Sequence, residues 1–142
     1  MSMELLVLFA VGDAPDLQEW KSALAERKIP VSITAEVDLR THSGFLPMQL
    51  ENEDTGLYFS IEDFEDLSAN IPPLMEVSID NPVVYSLGFG GHMAEGAVVF
   101  YSASALTAEF NGMAFETQGG SFMNADELLE AAKQLHQMVG EQ

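Results

Sequence analysis

The chain predicts an α+β fold: a mainly antiparallel sheet, amphipathic helices near both ends, and one buried alanine-rich helix packed against the sheet. Three stretches lead there. Asn81 to Ala108 holds a single ionised side chain, Glu95, in an otherwise acid-rich protein. Phe45 to Leu50 and Leu57 to Ile61 flank a polar loop in the manner of a hairpin. Leu17, Trp20 and Leu24 near the start, and Leu128, Ala132, Leu135 and Val139 near the end, recur at helical spacing. With 142 residues and 47% hydrophobic composition, the chain suits one domain with a real core, spanning 1–142.

Met3 to Ala10 is rich in Leu, Val and Phe and too continuously apolar for an edge, so it reads as an interior strand ended by Gly12. Asp13 is the expected N-cap of the first helix, with Pro15 in its first turn and Ile29-Pro30 as its stop. Trp20, lying on the apolar stripe, belongs to the core on this reading. Val31 to Leu39 alternates imperfectly and suits a second strand with Glu36 and Asp38 facing water. Residues 40–44 form a turn. In the hairpin, Glu51 to Gly56 is the loop; Leu57, Phe59 and Ile61 share one face of the second arm, and Tyr58 and Ser60 the other.

Ile71-Pro-Pro-Leu74 is a breaker, after which Met75, Val77 and Ile79 alternate with polar residues as a half-exposed strand. Val83, Tyr85, Leu87 and Phe89 mark a central strand, and Val84 on the opposite side implies cover on both faces. Met93 to Leu106 is small or apolar nearly all round, as a core helix should be. A membrane span needs roughly 20 consecutive apolar residues, and His92, Glu95, Gly96 and three serines interrupt this run. Asn111-Gly112 turns the chain into a strand from Met113 to Thr117, and Gln118-Gly-Gly120 turns it again. The last helix opens at Asn124 with Glu127 as its capping-box partner and runs to Gly140. The order of strands in the sheet is not read from the sequence.

Charge narrows the function. The net charge is -18, with five basic residues against 23 acidic ones. All five, Lys21, Arg27, Lys28, Arg40 and Lys133, lie outside residues 41–132, an interval holding fifteen carboxylates. Such a chain repels nucleic acid, which is bound through Lys and Arg on phosphates, and it disfavours anionic lipid and phosphorylated substrates. A cationic protein is the natural partner, because complementary fields raise encounter rates by roughly 10 to 1,000-fold. The alternative is that the charge serves solubility alone. The absence of Cys fits a reducing compartment, and the apolar run Leu5 to Val11 has no Lys or Arg before it, so the expected localisation is cytoplasmic.

Seven carboxylates crowd into residues 51–66: Glu51, Glu53, Asp54, Glu62, Asp63, Glu65 and Asp66. They lack calcium-loop spacing. They read either as a solvated helix start or, together with Tyr58 as an aromatic anchor, as a partner-binding surface. His42, His92 and His136 are scattered without metal-ligand spacing, so no metal and no cofactor is expected. His92 and Glu95 could meet across one helical turn, as a structural hydrogen bond at the helix start or as an acid/base pair. Gly88-Phe-Gly-Gly-His-Met puts Met93 where a dinucleotide loop needs its third glycine.

Three pieces carry a family resemblance. Leu46-Pro47 precedes Thr55-Gly56-Leu57; Leu87-Gly-Phe-Gly-Gly-His-Met-Ala-Glu-Gly-Ala97 leads into an alanine-rich helix; and Gly112 to Gly120 precedes the final helix. This resembles a group of small bacterial immunity-type proteins over residues 45–135. In that group a T-G-F-E turn and an F-R-W-G-G-D junction occupy these places. Here Leu57-Tyr58, Gly88-Phe89 and His92 depart from the pattern. The resemblance implies a non-catalytic cytoplasmic protein that binds and neutralises a cognate toxin effector delivered by a secretion system, with an oligomeric state left open. Two other readings stand beside it. One is an acidic mimic of nucleic acid that inhibits a nuclease or DNA-binding protein; the other is a small enzyme or ligand-binding domain using His92 and Glu95.

Overall fold

A computed structural model describes residues 3–139. Its centre is β1 (Met3–Phe9), whose five buried residues from Leu5 to Phe9 are apolar on both faces. A strand of that composition must have neighbours on both edges and cover on both sides. It pairs antiparallel with β5 (Val83–Phe89) on one edge and β6 (Met113–Glu116) on the other. The remaining strands are β2 (Val31–Ile33), β3 (Gly44–Leu50), β4 (Glu53–Glu62) and β7 (Ser121–Met123). All pairings are antiparallel, in the order β2-β3-β4-β5-β1-β6-β7. The expected α+β architecture is the one observed.

One face of the sheet carries the main core. Leu5, Val7 and Phe9 of β1 meet Tyr85, Leu87, Leu57, Phe59, Leu46 and Met48 beneath helices α1 (Leu17–Glu26), α3 (Met93–Glu109) and α4 (Ala125–Val139). The helix α3 is buried at every residue from Gly96 to Leu106, as its all-round apolar composition requires. Trp20 is fully buried against Phe59, with ring centroids 6.0 Å apart. Tyr85 donates its hydroxyl to the Pro15 carbonyl, tying the entry of α1 to β5, and burial together with Asp16 and Glu19 pushes this phenol up to about 12. The opposite face has a smaller core, in which Leu6, Leu8, Val84 and Phe115 lie under α2 (Phe64–Asn70) and a 3-10 turn, Pro72–Glu76.

Several local expectations need correction. Asp13 does not cap α1. Its N–H bonds Ala10 in a turn, and Asp16 caps instead, its carboxylate accepting from Glu19 N–H at 2.8 Å and Glu19 returning a bond to Asp16 N–H at 3.0 Å. The second strand stops at Ile33 and does not reach Leu39. The next pair would be Thr34 with Pro47; Thr34 N–H reaches the Pro47 carbonyl at 3.2 Å, but proline has no N–H to return the bond. Met75 to Ile79 forms no strand, because Pro72 and Pro73 preset the first positions of a 3-10 turn. Met75 is 71% exposed there, while Leu74, Val77 and Ile79 pack into the smaller core. The hairpin loop is shorter than the sequence suggests. Only Glu51 and Asn52 turn, and Glu53 to Gly56 already pair with Leu50 to Pro47. The strand β7 is unanticipated. The capping box of α4 is present as expected, Asn124 and Glu127 exchanging bonds of 2.8 and 2.9 Å; Gly140, the expected end of that helix, lies outside the described residues.

Candidate docking face

Strand alternation sorts the candidate residues to different sides. In β4 the residues Leu57 and Phe59 point into the main core, so Asp54, Gly56, Tyr58, Ser60 and Glu62 project from the opposite face. Adjacent strands extend this set into rows. Across the ladder, Phe45, Tyr58, Gly88 and Glu4 stand side by side; Ser60, Ser86 and Leu6 form the next row, and Glu62, Val84 and Leu8 the one after. The helix α2 and the 3-10 turn cover the Leu6, Leu8 and Val84 end. Among the described residues nothing covers the Phe45 to Glu4 end.

That bare half carries an aromatic pair. Phe45 and Tyr58 are 41% and 52% exposed, and their rings meet edge to face at 5.3 Å. Phe45 lies over Gly56 so closely that a Cβ there would sit 2.6 Å from its ring and 2.4 Å from the Leu46 carbonyl oxygen, which accounts for that glycine. Beside the pair is a shallow groove of roughly 460 Å3, lined among others by Met3, Glu4, Tyr58, Ser60, Ser86 and Gly88. Burial raises the Glu4 carboxyl above its ordinary range; a hydrogen bond from Ser86 lowers it in part, and the charge of Glu62 raises it further. Ser60 donates to Glu62 at 3.1 Å. Asp54 accepts from the Gln49 amide at 3.0 Å on the same face.

The other acidic candidates divide. Asp63 stands at the N-cap position of α2 without making a side-chain cap bond, and Glu65 and Asp66 occupy its first turn, all three exposed. These belong with Glu62 on the outer side. Glu51 turns the other way. Its carboxylate lies 3.6 Å from His136 Nε2, and His136 Nδ1 is 2.9 Å from the Tyr101 hydroxyl, so this acid latches the hairpin to α3 and α4. Burial, and then the charge of Glu51, raise the Tyr101 phenol. Glu53 shares the side of β4 taken by Leu57. Sequence reasoning did not single out Glu4, Phe45, Ser86 or Gly88 for this face, since only the pairing of β1 and β5 beside β4 brings them there.

All five cations sit in the helical layer or beside it. Lys21 pairs with Glu36 at 3.0 Å, Arg27 with Glu109 at 3.0 Å and Arg40 with Asp38 at 3.1 Å. Lys28 and Lys133 line a hollow with Tyr101. A cavity of about 750 Å3 lies between the start of α1 and residues 36–40. There Lys21 pairs with Glu36 and Arg40 with Asp38, and the carboxylates of Asp16 and Glu19 are taken up by each other's N–H in the capping box.

Glu95 accepts from the Gly90 N–H at 3.1 Å, fastening the turn between β5 and α3. His92 is exposed at the N-cap position, with no hydrogen bond to Glu95 among the described residues. Among those residues no group of three or more His, Asp or Glu is arranged to hold a metal ion, and no helix is long and apolar enough to cross a membrane. In comparisons with known proteins, the chain matches no family model, no curated protein and no solved structure.

Proposed function

We propose that the protein is a non-catalytic binding protein that docks a cationic protein on its bare outer sheet face, in the form the sequence resemblance implies: an immunity protein of the bacterial cytoplasm that neutralises a cognate toxin. One observation carries the reading. The uncovered half of the sheet presents the Phe45–Tyr58 pair with Glu4 and Asp54, and Glu62, Asp63, Glu65 and Asp66 stand where α2 begins to cover the face, while the basic residues of the chain lie in the helical layer or beside it. Aromatic anchors inside a single-sign rim match the usual division of labour at interfaces, in which the rings supply affinity and the charges supply encounter rate and partner choice. Like charges held this close repel one another, and a cationic partner relieves that repulsion.

The test is capture of the partner at low salt in the presence of excess DNA, followed by association kinetics. A single basic protein should be retained, with an association rate that falls steeply with ionic strength. Charge reversal at Asp54, Glu62 and Asp66 together should slow association by about tenfold or more and flatten the salt dependence. Unaltered kinetics would refute the face, and displacement of the partner by DNA would favour the nucleic-acid mimic.

A further inference from the structure

The two glycines of the bare face differ in what they accommodate. A Cβ on Gly56 would collide with the Leu46 backbone and the Phe45 ring, so packing demands its absence. A Cβ on Gly88 would meet only Met3 O at 3.5 Å and Tyr58 at 3.8 Å, which are ordinary contacts, and its backbone is not in the left-handed region. Glycine inside a strand weakens the strand, and one unexplained by turn or packing marks a place where another group approaches the sheet. Here the missing side chain leaves open the floor of the groove between Tyr58 and Glu4.

The chemistry around that floor has one sign. Glu4 and Glu62 are close enough for the charge of one to act on the other, and each is held by a serine hydroxyl, Ser86 and Ser60 respectively. Neither has a cation from the described residues: the Lys and Arg ion pairs use Glu36, Glu109 and Asp38, and the histidine contact uses Glu51. Tyr58 offers an exposed aromatic wall, a surface on which the stem of a long basic side chain packs and toward which its head is attracted. Resting on the docking reading above, we infer that the groove over Gly88 receives a lysine or arginine side chain of the cationic partner, its stem along Tyr58 and its head between Glu4 and Glu62.

The probe is an octa-arginine peptide, titrated by calorimetry at low ionic strength into the wild type, the triple charge reversal at Asp54, Glu62 and Asp66, and four further variants. Gly88→Thr fills the floor without altering net charge; Gly88→Ala does so more gently and serves if threonine disturbs the fold. Glu4→Gln removes the charge and keeps the shape. Glu76→Gln removes a charge outside the groove. The expected result is a tenfold or greater loss for Gly88→Thr, a comparable loss for Glu4→Gln, a smaller loss for Gly88→Ala, and a change within twofold for Glu76→Gln. Thermal melting should show Gly88→Thr at least as stable as the wild type, because a β-branched residue replaces a strand glycine. If both Gly88 variants bind like the wild type while the triple charge reversal does not bind, the groove is refuted and the acidic face stands. If the wild type fails to bind the peptide, both fall.

Discussion

Replacing Gly96 by alanine sets two effects of known sign against each other. Gly96 lies inside α3, where glycine costs about 1 kcal/mol relative to alanine through backbone entropy alone. On propensity the variant should therefore be the more stable. The added methyl, however, would sit 2.9 Å from Phe89 Cε2 and 3.2 Å from Leu135 Cδ1, both inside normal carbon contact. Phe89 cannot simply swing away, because its ring packs edge to face on Phe100 at 6.2 Å, and Leu135 packs α4 against the main core. Overpacking of this kind costs about 1 to 3 kcal/mol. Subtracting the helical gain leaves a net destabilisation of about 1 kcal/mol, or about 3 °C in Tm for a chain of this length. Urea unfolding followed by Trp20 fluorescence would measure it at unchanged m-value. Gly96→Ala combined with Phe89→Leu should recover part of the loss, since leucine removes the ring edge that the methyl strikes. A Gly96→Ala protein more stable than the wild type by the full propensity term would show that β5 and α4 do not hold α3 as closely as described.

Two further predictions concern Glu4 and the start of α1. The Glu4 carboxyl is raised above its ordinary value of 4.5, chiefly by burial, so the folded state holds that proton more tightly than the unfolded state. The stabilisation this gives is complete below 4.5 and is lost as pH rises through the raised value. Glu4→Gln, which resembles the protonated form, should accordingly raise Tm at neutral pH, with the gain vanishing in acid; a gain independent of pH would disprove the account. Asp16→Ala should cost about 1 kcal/mol by removing the capping box. Asp13→Ala should stay within about 0.5 kcal/mol, and the reverse ranking in thermal melts would return the cap to Asp13.

Much of the architecture is legible in the order of residue types, because it depends on burial patterns that recur within one segment. The apolar run Leu5 to Phe9, the alternation of Val83, Tyr85, Leu87 and Phe89 with Val84 on the other side, and the all-round apolar Met93 to Leu106 each point to burial, the first two as interior strands and the third as a core helix. The Asn124–Glu127 box is equally local, since both partners lie within one turn. Errors arise where two local signals compete. Asp13 and Asp16 are both acceptable caps, and only the reciprocal bond with Glu19 separates them. Val77 and Ile79 alternate like a strand, yet the prolines before them set the backbone into a 3-10 turn.

The sequence by itself determined the fold class, the buried helix and the excess of acid on the middle of the chain. Only the tertiary structure decided which acids stand together. Glu51 and Asp54 are three residues apart, but strand alternation and the hairpin turn send one to His136 and the other to the outer face. Glu4 is far from Tyr58 and Gly88 in the chain, and the pairing of β1 with β5 and of β5 with β4 sets the three in one row. The physical reason is register. A one-residue slip of a strand would exchange its faces, and the register that holds β5 in place is chosen by the core beneath Leu87 and Tyr85, which involves residues from nearly every element of the protein.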